Sequence, residues 1–338
     1  MTDTVLLTGI SGFIAKHCAV KLLNAGYAVR GSLRSPTRQD EVRTAIRPHL
    51  TSPKMEANLD FVSLDLTSDD GWAEAAKGVV AILHTASPFP ISQPKDENDL
   101  IRPAVDGTLR VMRAAKAAGV NRVILTSSIV SVMQGGGQKT YTEADWLDPN
   151  APGTSAYAKS KVMAERAAWD FVKTDAPGIA LTTINPGFVV GPPLDAEYGS
   201  SVAVIKRFLS GKDPMMPAIG LPTVDVSDVA EMHLRALQRP DTAGKRYLAA
   251  AGSLWFAEMG KVMKAAFPDR RIPTRVAPNF ILRVLALFDS ELRAILPQLG
   301  IIERVDNTRA ITEMGMTFIP ADQAVIASAR YLVDHKLV

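Results

Sequence analysis

The sequence of 338 residues predicts an α/β protein, a Rossmann-type doubly wound parallel sheet with a smaller C-terminal α/β lobe for substrate. Three observations predict it. Short apolar runs alternate with longer helix-period stretches through the first half, the pattern of parallel strands covered by helices on both faces. The first apolar run ends in a turn of small residues that opens a helix. After Pro186 the texture changes: Pro and Gly thicken and strict alternation is lost. The length also exceeds what one core usually fills, about 250–300 residues.

Thr4–Leu7, Ala28–Leu33, Leu59–Leu64, Val79–His84 and Arg122–Thr126 read as buried strands. Gly12–Ala25, Arg38–His49, Ser68–Ala76 and Glu97–Ala118 read as the helices between them. A long helix from Ser155 to Lys173 then leads to a strand at Ala180–Ile184, closed by Asn185-Pro186-Gly187. Residues 1–187 are expected to form the first domain, to which the chain returns at about 223–249 through Val224–Leu237 and Arg246–Ala249. Residues 188–222 and 250–338 form the substrate lobe. No Gly/Ser-rich linker intervenes, so the lobes should pack closely. Asn279–Phe288 reads as core of the second lobe, with a pocket lid or a subunit contact as the alternative.

Composition narrows the function. A net charge of +3 is too balanced for a nucleic-acid or anionic-membrane partner. The single cysteine, Cys18, excludes an intrachain disulfide and suits a reducing, cytoplasmic setting. The scattered histidines offer no metal-ligand spacing, so no metal is expected. The opening Met-Thr-Asp-Thr has no basic segment of a signal peptide. The greasiest segment, Asn279–Phe288, contains Arg283 and has half the length of a membrane span.

The first chemical signal is Thr8-Gly9-Ile10-Ser11-Gly12-Phe13-Ile14-Ala15, with spacing G-x-x-G-x-x-A on the first strand–helix turn. Gly9 makes the tight turn, Gly12 lets a pyrophosphate approach the helix N-terminus, and Ala15 keeps the helix near the sheet. The second strand ends Gly31-Ser32-Leu33-Arg34, without the acid that favours a free ribose 2′-hydroxyl. Arg34 and Arg38 instead suit a 2′-phosphate through charge-assisted bonds, hence NADP(H). Asp65 and Leu66, closing the third strand, fall where an adenine ring is edged; Asp65 equally suits a cap for the next helix.

The second signal joins a serine at a strand end, Ser128, to Tyr157 and Lys161, spaced i, i+4 on one helix face. A phenol titrates near 10, and bringing it to neutrality takes about 4 kcal/mol. One ammonium about 4 Å away supplies a term of that size at an effective dielectric of about 20. Lys161 is therefore expected to tune Tyr157 as a general acid/base, with Ser128 holding the substrate oxygen. Phe89, Ile129, Val130, Met133, Phe188, Met215 and Met216 are candidates for an apolar substrate pocket.

These residues resemble the extended short-chain dehydrogenase/reductases of the NAD-dependent epimerase/dehydratase superfamily. Within it they are most similar to the dihydroflavonol reductase, cinnamoyl-CoA reductase and yeast-type carbonyl reductase group. The resemblance runs through TGISGFIA (Thr8–Ala15), VRGSLRS (Val29–Ser35), LDLT (Leu64–Thr67), LHTASP (Leu83–Pro88), LTSS (Leu125–Ser128), YAKSK (Tyr157–Lys161), NPGFVVGPP (Asn185–Pro193) and VDVSDVA (Val224–Ala230). It implies a catalytic Ser128, Tyr157 and Lys161, with Lys161 also holding the nicotinamide ribose. It implies that Arg34 and Arg38 grip the 2′-phosphate, that Thr85, Ala86 and Ser87 line the cofactor, and that Pro186, Gly187, Phe188 and Val189 pack near the nicotinamide.

Departures from the family pattern bear on mechanism and substrate. The asparagine that completes a proton relay in many members falls at Ala104, leaving water or the ribose for that task. The flavonol-binding asparagine falls at Met133, and Thr154-Ser155-Ala156-Tyr157-Ala158 replaces the Asn-Trp-Tyr-Cys-Tyr signature of cinnamoyl-CoA reductases. The expectation is a monomeric or homodimeric enzyme that reduces a small aldehyde or ketone with NADPH. The alternatives are a sugar-nucleotide epimerase or dehydratase holding NAD tightly, and a non-catalytic NADP-sensing regulator.

Overall fold

The computed structural model describes residues 2–88, 96–136 and 139–338. The expected alternation forms β1 (Thr4–Thr8), α1 (Phe13–Asn24), β2 (Ala28–Leu33), α2 (Gln39–Ile46), β3 (Leu59–Ser63), α3 (Trp72–Ala76), β4 (Ala81–His84), α4 (Asn98–Ala118) and β5 (Arg122–Thr126). A two-residue β6 (Thr140–Tyr141) precedes α5 (Ala156–Thr174) and β7 (Ala180–Pro186). Then come β8 (Phe188–Val190), α6 (Ser200–Leu209), β9 (Ile219–Asp225), α7 (Val226–Gln238), β10 (Lys245–Ala249), β11 (Gly252–Trp255) and α8 (Phe256–Ala266). The chain finishes with α9 (Asn279–Leu285), α10 (Ser290–Ile295), β12 (Ile301–Ile302), β13 (Arg304–Val305), α11 (Thr308–Met314) and α12 (Ala321–Asp334).

The central sheet has seven parallel strands in the order β10-β7-β5-β4-β1-β2-β3. Its strand order reverses between β1 and β4, the place where open α/β sheets bind ligands beyond their carboxyl ends. One face is buried under α1, α2 and α7 with Leu7, Ile10, Leu22, Val229 and Tyr247 in its core; the other lies under α3, α4 and α5 with Trp72, Val111, Met112 and Ala168. A second sheet runs β11-β9-β12 with β8 also on β9, and its core holds Phe208, Met216, Ile219, Phe256 and Met259.

Only Gly187 separates β7 of the central sheet from β8 of the second. Its N–H donates to the Ala249 carbonyl at 3.0 Å, and a Cβ there would sit 2.4 Å from the Pro222 carbonyl oxygen. The return strand repeats the crossing: β10 reaches β11 through Ala250 and Ala251, and Ala251 N–H donates to Thr223.

Three local expectations are corrected. The helix read over Ser68–Ala76 is confined to Trp72–Ala76, because Asp65 and Thr67 close a turn and Gly71 enters with φ +78°. Thr223–Asp225, read with the returning segment, pair in the second sheet, although Val224 already packs into the core of the first and α7 follows it there. The Asn279–Phe288 helix is largely not core: Leu282 and Ala286 are buried, but Phe280, Val284, Leu287 and Phe288 stay exposed, Phe288 at 87%. Among the described residues no helix is long and apolar enough to cross a membrane.

Candidate active site

The turn after β1 is built around Thr8 and Gly9. Gly9 has φ +68°, and a Cβ on it would lie 2.9 Å from that of Ala86, so conformation and space both require glycine. Its N–H donates to Ser32 Oγ at 3.0 Å, and Gly12 N–H donates to its carbonyl at 2.9 Å. The Thr8 hydroxyl accepts from the N–H groups of Thr85 and Ala86, both at 3.1 Å, and shares a hydrogen bond with His84 Nδ1 at 2.7 Å. Burial holds His84 down to about 3, so the imidazole is neutral. Thr8 thus locks the glycine turn to the end of β4 across the switch point.

A cleft of about 790 Å³ opens over this turn. Gly9, Ser11, Gly12, Thr85, Ala86 and Ser87 line it, with Arg34, Asp65 and Leu66 at its far end. Asp65 accepts from the Thr67 N–H and hydroxyl, both at 2.7 Å, so its carboxylate caps the local turn. Ser32, Trp72, Leu100 and Pro103 also line this cleft and escape the sequence reading; Ser32 stands two positions before Arg34, the one cue available.

The cleft continues into a second of about 730 Å³, which shares Gly9, Ser11, Gly12, Thr85 and Ser87 with the first. Phe13, Ile14, Ser128, Tyr157, Lys161, Pro186, Gly187 and Val189 line it. Its outer wall is the 197–201 segment, tied to α1 by the buried Lys16–Asp195 ion pair and by Lys16 Nζ donating to the Glu197 carbonyl at 3.3 Å. Arg38 faces this second cleft and is taken bidentately by Glu41, at 2.8 and 2.5 Å. Arg34 alone of the two arginines reaches the first cleft.

Ser128, Tyr157 and Lys161 meet at one wall. Ser128 ends the β5 segment as the cap of a short 3-10 turn, and Ser155 caps α5 so that Tyr157 and Lys161 fall in its opening turns. Tyr157 and Ser128 share a side-chain hydrogen bond. The Lys161 ammonium lies 5.5 Å from the centroid of the Tyr157 ring and donates to Ser87 Oγ at 2.7 Å. Burial pushes the Tyr157 phenol up, against the weaker pull of Ser128, and brings Lys161 down to about 8. The net shift of the phenol is thus upward rather than toward neutrality: burial outweighs the pull of its neighbours, and the Lys161 ammonium lies over the ring while it donates to Ser87. A protonated phenol at neutral pH is what an acid needs.

A third cavity of about 400 Å³ lies beside Ser155 and Ala158. Val130 and Met133 line it from the first lobe; Ile219, Leu221, Gln298 and Ile301 line it from the second. Ile129 is buried elsewhere, Met216 lies in the second-lobe core, and Phe188 faces that core against Phe256 at 6.2 Å. Met215 is half-buried and lines none of the three cavities, and Phe89 lies outside the described residues.

Residues 5–250 match the model of the NAD dependent epimerase/dehydratase family. Ketoreductase azaE of Aspergillus niger is 32% identical over 338 residues, with 94% of each chain covered. Cinnamoyl-CoA reductase 1 of Petunia hybrida is 34% identical over 278 residues, covering 81% of this chain and 80% of the relative. Among solved structures, yeast methylglyoxal/isovaleraldehyde reductase Gre2 in complex with NADPH superposes with a TM-score of 0.81 at 26% identity, covering 99% of this chain and all of that one.

Proposed function

The chain belongs to the NAD-dependent epimerase/dehydratase family, in its extended short-chain dehydrogenase/reductase group, and on that premise we propose that it reduces an aldehyde or ketone to the alcohol with NADPH, Tyr157 acting as general acid. The observation that carries this reading is the junction of the two clefts. A path begins beside Arg34, crosses the glycine turn and ends at Ser128, Tyr157 and Lys161.

The residues present fit a dinucleotide. Gly9 and Gly12 leave the space that side chains would fill, α1 carries no side-chain cap over its first turn, and Arg34 stands at the far end for a 2′-phosphate. When bound, NADPH supplies the hydride that reaches the carbonyl carbon. Ser128 and Tyr157 hydrogen-bond the carbonyl oxygen, and Tyr157 passes its proton to that oxygen as negative charge develops there. Lys161, held by Ser87, keeps a positive charge beside the resulting phenolate and steadies it until it regains a proton. The carbonyl gains a hydride on carbon and a proton on oxygen, and the alcohol leaves. Val130, Met133, Leu221 and Ile301 give its remainder an apolar wall.

Loss of reduced-nicotinamide absorbance across a panel of aryl ketones, aldehydes, β-keto esters and α-diketones tests this reading. NADPH is expected to be consumed with at least one class and faster than NADH. Protein that binds NADP(H) yet consumes none with any carbonyl would overturn the reading and favour an epimerase or a sensor.

The pH dependence follows from Lys161. Its amine is charged below about 8 and neutral above, so the free enzyme loses that charge as pH rises through this value. Reductive kcat/KM for NADPH, which reports groups of the free enzyme, should fall above about 8, while Tyr157 stays protonated over the same range. A flat profile from neutrality to beyond Lys161's transition would remove Lys161 from the mechanism.

A further inference from the structure

Glu165 stands one helical turn beyond Lys161 on α5, its side chain wholly buried. Its carboxylate meets side chains from β7, from β10 and from the segment just after β5. Oε2 accepts from Ser127 Oγ and Ser131 Oγ, both at 2.6 Å, and from Asn185 Nδ2 at 2.8 Å. Oε1 accepts from Thr183 Oγ1 at 3.0 Å and from Arg246 Nε at 2.7 Å. Arg246, on β10, gives another nitrogen to the carbonyls of Glu143 and Asp145 and lies 3.6 Å from the centroid of Trp146. Neither charged group lines any of the three cavities.

An ion pair taken out of water costs desolvation that its mutual attraction need not recover, so its place here is weak evidence for stability. What its ligands hold is more specific. Ser127 and Ser131 bracket Ser128, and the Ser128 carbonyl accepts from Ser131 Oγ at 2.7 Å and from Asn185 Nδ2 at 3.3 Å. Asn185 also donates to Ser131 Oγ at 3.0 Å. Ser131 has one hydroxyl proton, within reach of both Glu165 and the Ser128 carbonyl, so the same few donors serve the carboxylate and the backbone of Ser128. Move the carboxylate, and Ser127, Ser131 and Asn185 must find new partners around that residue.

We infer that Glu165, with Arg246 as counter-ion, is a positioning residue that fixes Ser128 against Tyr157 through Ser127, Ser131 and Asn185. The inference rests on the reading of Ser128 as the group that binds the carbonyl oxygen. It makes α5 carry both the acid and the brace for its partner, so the distance between them is set within one helix and the strand end it grips.

A double-mutant cycle tests it. Ser128→Ala is expected to lower kcat by about 10²–10³-fold, the cost of one lost oxyanion donor. Glu165→Gln, which keeps shape but replaces an acceptor oxygen with a donor, is expected to lower kcat by about 10–100-fold through misplacement. Its KM and its NADPH dissociation constant, read by nicotinamide fluorescence, should stay near the parent values. In the Ser128→Ala background the same change should cost nothing further, since the group it positions is gone. An equal loss on both backgrounds, or NADPH binding that weakens as much as kcat falls, would overturn the inference while leaving Ser128's role standing. If Glu165→Gln does not fold, Ser131→Ala, which spares the ion pair, takes its place in the cycle: a loss confined to the Ser128 background supports the inference, and an equal loss on both overturns it. A Ser128→Ala enzyme as fast as the parent would overturn the reading of Ser128 itself, and this inference with it.

Discussion

Tyr157→Phe is expected to leave a folded protein that binds NADPH and reduces carbonyls about 10²–10⁴-fold more slowly, the usual contribution of a positioned acid. The change deletes one O–H and nothing else. The ring keeps its place under the Lys161 ammonium, Lys161 keeps Ser87, and the glycine turn is untouched. What is lost is the proton that burial holds on the phenol at neutral pH, together with Ser128's side-chain partner. The fall should therefore appear in kcat, with NADPH affinity nearly intact by fluorescence titration. Retained turnover would remove Tyr157 from the acid role. Lost cofactor binding would mean that the hydroxyl shapes the cleft instead.

The second large effect concerns the choice of cofactor. Arg34→Asp is expected to reverse much of the preference for NADPH over NADH. Hydrogen bonds to a charged group contribute about 1.5–3 kcal/mol, so the loss of one such contact lowers NADPH affinity by about 10–100-fold. The introduced carboxylate also repels a 2′-phosphate and suits a free 2′-hydroxyl. Arg38→Ala should add little, because the Arg38 guanidinium is held by Glu41 and lies 3.6 Å from Glu197. The ratio of kcat/KM for the two cofactors, measured on each single variant and on the pair, separates the contributions. An unchanged ratio in Arg34→Asp would mean that the end of β2 does not meet the phosphate, and a large effect from Arg38→Ala alone would mean that Glu41 releases it.

What could be read in advance follows the range of the interactions. The glycine turn was legible because the φ of Gly9 and the close approach of Gly12 to the Gly9 carbonyl are local to a strand–helix junction, whereas the crowding of Gly9 by Ala86 was not. Tyr157 and Lys161 were legible because helical spacing alone puts them on one face. Contacts between distant segments were not. Ser87 meets Lys161 from the segment after β4, 74 residues away, and although the family resemblance placed it along the cofactor, no local pattern pointed to this contact. Glu165, in a run of alanines and charged residues, looks like a solvated acid, and Arg246 looks like the polar member of a short strand; only the sheet order brings them together. In the second lobe strands of two to seven residues offered too little period to read. Phe188 shows the result: next to the nicotinamide motif it suggested a pocket wall, yet it turns toward Phe256.

The Gly187 crossing has a consequence for stereochemistry. The passages at Gly187 and at Ala250–Ala251 are short and hydrogen-bonded to the neighbouring strand, which restrains the two lobes from moving apart at these points. On the proposed reading, a ketone whose two substituents differ in size is expected to place them by volume between the Val130–Met133 side and the Leu221–Ile301 side of the third cavity, and that placement would set the hand of the alcohol. Handedness in such a frame is a property of side-chain volume, to be read in the enantiomeric composition of the product.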